Sequence, residues 1–201
     1  MKETILIKAT EMFISLGFKS VTMDDIAAQL GISKKTIYQH FANKNDLVEA
    51  TAMHLFETIS AGIDAICKEE KNPIEEFFII RQFLSRILKN DTVSPDFQFQ
   101  KYFPKVFTLL RTMQFEKLHG SMLDNLRRGV KEGLYRPDID IEFTARIYFT
   151  GLTGIKNTDI FPTEMFAYGT ITIQFIEYHL RAIVTDKGLS VLTKTIAENN
   201  F

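Results

Sequence analysis

The sequence predicts an all-α chain, with a three-helix N-terminal unit followed by a larger helical bundle. Three observations carry that expectation. Apolar residues recur at the three- and four-residue spacing of a helix through most of the 201 positions. Residues that cap helices stand at the starts of those stretches, and Gly or Pro closes them after very short connections. No internal repeat, low-complexity segment or convincing sheet pattern interrupts the series.

Residues 4–16 place Ile5, Ala9, Met12, Phe13 and Leu16 on one helical face, and Gly17 follows as a stop. Thr22 then precedes MDDIAAQL, where it can cap the helix, while Asp24 and Asp25 sit in the first turn favoured by the helix dipole. Gly31 ends that helix, Ser33 can cap a second short one (KKTIYQHF), and Asn43 a long third one from Lys44 to Lys68. Asn72-Pro73 opens the helix IEEFFIIRQFLSRILK, and Ser94-Pro95 opens another that Pro104 limits or kinks. A long helix is expected over Phe107–Glu132, in one piece or in two around Gly120. GLYRPDID reads as a connector, because Gly133 stops one helix and Pro137 forbids continuation. Helices follow at 140–155, 163–184 and 187–198. The 163–184 segment is rich in β-branched residues, so a strand is the alternative there, but its length and continuous apolar character favour a buried helix.

Composition narrows the class. The apolar fraction of 45% and charged fraction of 24% are those of a globular chain able to bury a core. One cysteine, Cys67, leaves no intrachain disulfide and no thiolate cluster for zinc, which suits a reducing compartment. No run of about eighteen apolar residues exists, and the first residues carry charge at positions 2, 3, 8 and 11. The expectation is a cytoplasmic chain with no membrane contact. Net charge is −1, with six Lys against five acidic residues in the first 47 positions. A nucleic-acid function must therefore rest on where the lysines sit, since whole-chain charge does not support one.

The 27–37 segment supplies that placement. Ala27 is small where a second helix would pack, Gly31 four residues on makes the turn, and Ile37 six further on plugs the gap between the helices. Ile26, Leu30 and Ile32 complete the miniature core. This is the pattern of a helix-turn-helix, with an ordinary helical hairpin as the bland alternative. Its second helix presents Ser33, Lys34, Lys35, Thr36, Tyr38, Gln39 and His40 to phosphates or base edges of double-stranded DNA. Thr22 and Lys44, at the starts of the flanking helices, complete the candidate surface. Lysine in a first helical turn opposes the dipole, a cost that makes sense if an anion sits there.

From Ile5 to Leu47 the sequence resembles the TetR family of bacterial regulators. Thr22-Met-Asp-Asp-Ile-Ala, Gly31-Ile-Ser, Thr36-Ile-Tyr38 and His40-Phe41-x-x-Lys44 match its pattern in order and spacing. The resemblance implies that Thr36 and Tyr38 touch the DNA backbone, that Lys34, Lys35 and Gln39 face the major groove, and that Lys44 grips a phosphate. Lys35 departs from the family, which often has a small residue there. Domain limits follow as 1–46 for DNA binding and 47–201 for ligand binding and dimerisation. Beyond Leu47 only length and helical layout match, so no ligand identity carries over.

Nine aromatic residues fall between Phe77 and Phe115, and the resemblance leads us to expect an apolar cavity in this domain. A filled core is the alternative. Phe77, Phe78, Phe103, Phe107 and Phe115 are the candidate walls, and Arg81 and His119, polar residues inside apolar stripes, the candidate anchors. Each anchor also has a plain structural role open to it, an ion pair for Arg81 and a backbone-bonded core imidazole for His119. Phe143 and Ile147 on one late helix, and Phe166, Ile171, Phe175 and Tyr178 on the next, are the candidate dimer interface. Enzyme chemistry finds no support. The four histidines form no i, i+3 or i, i+4 ligand pair, no phosphate-binding loop or GxSxG exists, and Glu75-Glu76 reads as solvated. No metal or cofactor is expected. The reading is a homodimeric, ligand-responsive repressor of a palindromic operator that takes an apolar or amphipathic effector. The alternative keeps the DNA-binding head but gives the body a protein partner.

Overall fold

The computed structural model describes residues 1–88 and 95–199, and among them ten helices and no strand. They are α1 (Lys2–Leu16), α2 (Met23–Leu30), α3 (Lys34–Tyr38), α4 (Lys44–Lys68), α5 (Pro73–Leu88), α6 (Pro95–Tyr102), α7 (Pro104–Lys131), α8 (Ile141–Gly154), α9 (Tyr168–Ile183) and α10 (Asp186–Asn199). Ser94, expected to open α6, lies outside the described residues. The chain divides into two compact units, each discontinuous in sequence: Met1–Ser60 with Leu88–Gln114, and Ala61–Ile87 with Phe115–Phe201.

The first unit is built on α1–α4. Ile5, Ala9 and Phe13 of α1 meet Ile26 and Ala27 of α2, Ile37 of α3, and Leu47 and Val48 of α4 in a single buried cluster. Phe99 of α6 and Val106 and Leu110 of α7 join the same cluster. Phe18 stacks on Phe13 with ring centroids 5.1 Å apart and touches Phe99 at 4.4 Å. Offset ring pairs of this kind add to the stabilisation that burial already provides.

In the second unit, α5, the later turns of α7, and α8–α10 close over Phe77, Phe78, Leu126, Tyr135, Tyr148, Ile176 and Leu180. A polar network crosses this core. Glu76, only 2% exposed, pairs with Arg128 and accepts a hydrogen bond of 2.8 Å from Asn125 Nδ2. Asn125 also donates to the Pro73 carbonyl and accepts from the Tyr135 hydroxyl at 3.0 Å. The expectation of solvated carboxylates at Glu75-Glu76 is corrected for Glu76. A buried carboxylate needs such partners, and Arg128 supplies the charge from 52 positions away. Tyr135 lies flat on Gly129, where an added Cβ would fall 2.0 Å from its ring.

Three helix boundaries differ from expectation. Helix α7 starts at Pro104, not at Phe107, proline being tolerated in a first helical turn, and it runs unbroken through Gly120, since one helical glycine costs only about 1 kcal/mol. Helix α3 stops at Tyr38, and Gln39 and His40 lie in the following turn, where His40 N–H donates to Ile37. Helix α9 starts at Tyr168, not at 163. The N–H groups of Met165 and Phe166 both turn back to the Pro162 carbonyl, and the extended backbone of Ala167 then begins the helix. The connector 133–140 is tied by an isolated antiparallel bridge, Tyr135 to Val184, and by the Thr185 hydroxyl, which donates to the Gly133 carbonyl at 2.7 Å.

Candidate functional site

The helix-turn-helix is assembled from short-range bonds. Thr22 Oγ1 accepts from the Asp25 N–H at 3.2 Å, and Asp25 Oδ2 accepts from the Thr22 N–H at 2.8 Å, a reciprocal capping box. The Thr22 hydroxyl, which also donates to Asp25 Oδ2 at 2.7 Å, and then the Thr22 N–H hold the Asp25 carboxyl below its ordinary pKa. Gly31 adopts the left-handed conformation (φ 64°, ψ 31°), and its N–H and that of Ile32 return to carbonyls of the last α2 turn. Ser33 Oγ then accepts from the Thr36 N–H at 3.1 Å and lies 2.9 Å from the Thr36 hydroxyl. Ile37 is fully buried between α1, α2 and α4. Burying it turns the opposite side of α3 and the next turn outward, so Lys35, Tyr38, Gln39 and His40 are exposed.

Two of the expected DNA cations have intramolecular partners. Lys34 Nζ donates to Asp24 Oδ2 at 2.7 Å, bridging α3 to α2, and this hydrogen bond raises the lysine pKa. The anion expected beside the start of α3 is thus, in the free protein, the chain's own carboxylate. Lys44 Nζ donates to the Lys19 carbonyl at 2.9 Å and rests 5.9 Å from the Phe13 ring centroid. Partial burial lowers its pKa. Neither partnership was legible beforehand: Asp24 stood only as a first-turn acid, and the Lys19 carbonyl carries no sequence signal.

The candidate ligand residues are divided between the units. Phe103 and Phe107 pack against the N-terminal core, whereas Phe77, Phe78, Arg81, Phe115 and His119 belong to the second unit. Within that unit, Phe77 and Phe78 are buried. Phe115 stacks on His119 at 5.2 Å and meets Phe149 edge-on at 5.1 Å. His119 Nε2 lies 3.0 Å from Glu142 Oε1, and Arg81 donates to the Gly169 carbonyl at 3.2 Å. The sequence gives His40 a place on the DNA-facing surface and His119 one as a ligand anchor, but His179 entered only as a possible metal ligand. Its ring is 6% exposed and sits among Phe77, Tyr148 and Phe175, with centroids at 6.3, 4.8 and 6.2 Å. Its Nε2 has no hydrogen-bond partner, and burial lowers its pKa to about 4. The available signal was its position between Ile176 and Ile183 on the buried face of α9. No group of three His, Cys, Asp or Glu placed to hold a metal occurs among the described residues.

Of the candidate dimer residues, Phe143, Ile147 and Tyr178 point outward, Phe143 being 63% and Tyr178 75% exposed. Ile171 is in the core of its own unit, Phe175 lies on Gly151 beside Tyr148, and Phe166 pairs edge-on with Phe161. No described helix is long and apolar enough to cross a membrane.

Residues 5–51 match the family model described as bacterial regulatory proteins, tetR family. The HTH-type transcriptional repressor KstR2 of Mycobacterium tuberculosis is 26% identical over 146 residues, covering 69% of this chain and 70% of that protein. Among solved structures, SmeT, the repressor of the Stenotrophomonas maltophilia multidrug efflux pump SmeDEF, is similar with a TM-score of 0.67 and 19% identity. The match covers 92% of this chain and 91% of SmeT. A TetR-family transcriptional regulator from Agrobacterium tumefaciens is similar with a TM-score of 0.68 and 19% identity, over 92% of this chain and 100% of that one. The capped helix-turn-helix thus matches the N-terminal region of the tetR family of bacterial regulatory proteins over residues 5–51, and the helical fold is similar to that of SmeT and the Agrobacterium tumefaciens regulator.

Proposed function

We propose that the chain is a homodimeric repressor whose affinity for a palindromic operator falls when an apolar or amphipathic small molecule binds its body. Residues 1–46 act as the DNA-binding head and 47–201 as the sensing and dimerising body, working in the cytoplasm where the duplex is. The observation that carries this reading is the outward set Lys35, Tyr38, Gln39 and His40, presented by a helix whose opposite side is pinned by Ile37. Tyr38 and Thr36 contact backbone, Lys35 and Gln39 reach base edges, and Lys34 and Lys44 join once phosphates compete with their intramolecular partners. Supporting the sign of regulation, KstR2 and SmeT are both named repressors. The exposed apolar side chains of Phe143, Ile147 and Tyr178 on α8 and α9 support self-association. A ligand that prefers one arrangement of the two heads shifts the population toward it, and linkage makes that coupling reciprocal.

Selection from a random duplex library tests the DNA function. It should enrich a palindrome with half-sites about one helical turn apart, bound with steep salt dependence. Sedimentation tests the dimer: the native protein should run as a dimer at micromolar concentration, and Tyr178→Glu should run as a folded monomer. A library that enriches no site refutes the operator reading, and a dimeric Tyr178→Glu protein moves the interface elsewhere.

A further inference from the structure

We infer that His179 Nε2 is the hydrogen-bonding anchor of a ligand subsite inside the second unit, which takes an uncharged, mainly aromatic or alicyclic molecule carrying a hydroxyl. The inference rests on the proposal that the body binds a small-molecule effector, and it names the chemistry of that effector. Four rings from three helices converge here: Phe77 of α5, Tyr148 of α8, and Phe175 and His179 of α9. Phe77 meets Tyr148 edge-on at 5.3 Å, and Tyr148 lies 5.5 Å from Phe175. Such walls select flat apolar surface. Among these rings His179 Nε2 is buried with no hydrogen-bond partner.

An unpaired nitrogen in such a core is costly, and a ligand group that pairs with it recovers what folding left unsatisfied. The chemistry of the nitrogen sets the partner. Desolvation holds the imidazole neutral at pH 7, so it offers no positive charge to a carboxylate. Tyr148 is the titratable group against it, and burial keeps that phenol protonated. A neutral imidazole has one N–H and one bare lone pair, and a hydroxyl complements either, donating or accepting. Arg81, the residue the sequence offered for an acidic ligand, gives a hydrogen bond to the Gly169 carbonyl. Phe77 and Tyr148 are buried, whereas Phe175 is half-buried and rests on the bare backbone of Gly151. Phe175 is thus the one of these three rings that reaches solvent.

The test uses the intact protein and three probes of one shape: 4-propylphenol, propylbenzene and 4-propylbenzoate. Calorimetry should show the phenol binding about tenfold more tightly than propylbenzene, the contribution of one buried neutral hydrogen bond. The benzoate should gain nothing over propylbenzene. In His179→Phe the phenol should lose its tenfold advantage while propylbenzene is unchanged. Nitrogen-15 NMR of the unaltered protein needs no variant, and the Nε2 resonance should move with the phenol and not with propylbenzene. Equal binding of phenol and propylbenzene, a phenol preference that survives His179→Phe, a stationary Nε2 resonance, or binding by no probe overturns the anchor. Operator binding separates the two claims. A phenol that engages Nε2 without weakening operator binding leaves the anchor standing and removes the effector reading. A molecule that releases the operator without moving Nε2 does the reverse.

Discussion

Replacing His179 by Phe should flatten the acid limb of the stability curve. Buried among Phe77, Tyr148 and Phe175, the imidazole has its pKa pulled from an ordinary 6.5 to about 4, with burial as the cause. A histidine lowered in this way resists protonation in the folded state but accepts a proton freely once unfolded. Its contribution is therefore fully present above pH 6.5 and is lost as pH falls from 6.5 toward 4. At about 1.4 kcal/mol per pH unit, that interval corresponds to about 3 kcal/mol, a large share of the roughly 5–15 kcal/mol that holds a typical protein folded. Urea denaturation of the native and His179→Phe proteins at several pH values between 7.5 and 4 measures it. The carboxylates common to both proteins cancel in the difference, so the native protein should lose about 3 kcal/mol more than the variant across the window. Parallel curves would show that the ring reaches water or a proton acceptor, and the reasoning from burial would fail.

The helix-turn-helix offers two further tests. Asp24→Asn removes the intramolecular competitor for Lys34, so operator affinity should rise and the slope of log affinity against log salt should steepen by about 0.9 per head. An unchanged slope in duplex-binding titrations means that Lys34 contributes no phosphate contact. Gly31→Ala places a Cβ in open space but on a left-handed backbone, so the loss comes from conformation alone, about 1–2 kcal/mol by thermal denaturation. In the body, Glu76→Leu strands Arg128 beside an apolar core and should cost about 3 kcal/mol or more, read by the same method. A loss below about 1 kcal/mol would mean that Arg128 turns out to solvent at little cost.

The head was legible because its signals are local. Thr22, Gly31, Ser33 and Asn43 each act on backbone groups within four residues, and each cap forms where the spacing places it. Ile37 is buried for the same reason, since helix periodicity alone turns it inward. The body was legible only as a succession of helices. Which aromatic meets which depends on packing between distant segments: Phe99 reaches Phe18, and Phe103 and Phe107 join the N-terminal core, while Phe77 packs on Tyr148 and His179. Glu76 reads as solvated until Arg128, Asn125 and Tyr135 arrive from another part of the chain.

Read alone, the sequence determined the helix count near the N-terminus, the turn at Gly31 and the outward face of the short helix after it. Those features depend on hydrogen bonds and periodicities that span no more than a turn or two of helix. Tertiary structure alone decided which charges are already partnered and which polar group is left buried and unpaired. Lys34 and Lys44 have internal acceptors, and His179 carries a bare nitrogen in an aromatic core, because desolvation and ion pairing depend on what folding brings alongside a residue, whatever its distance along the chain.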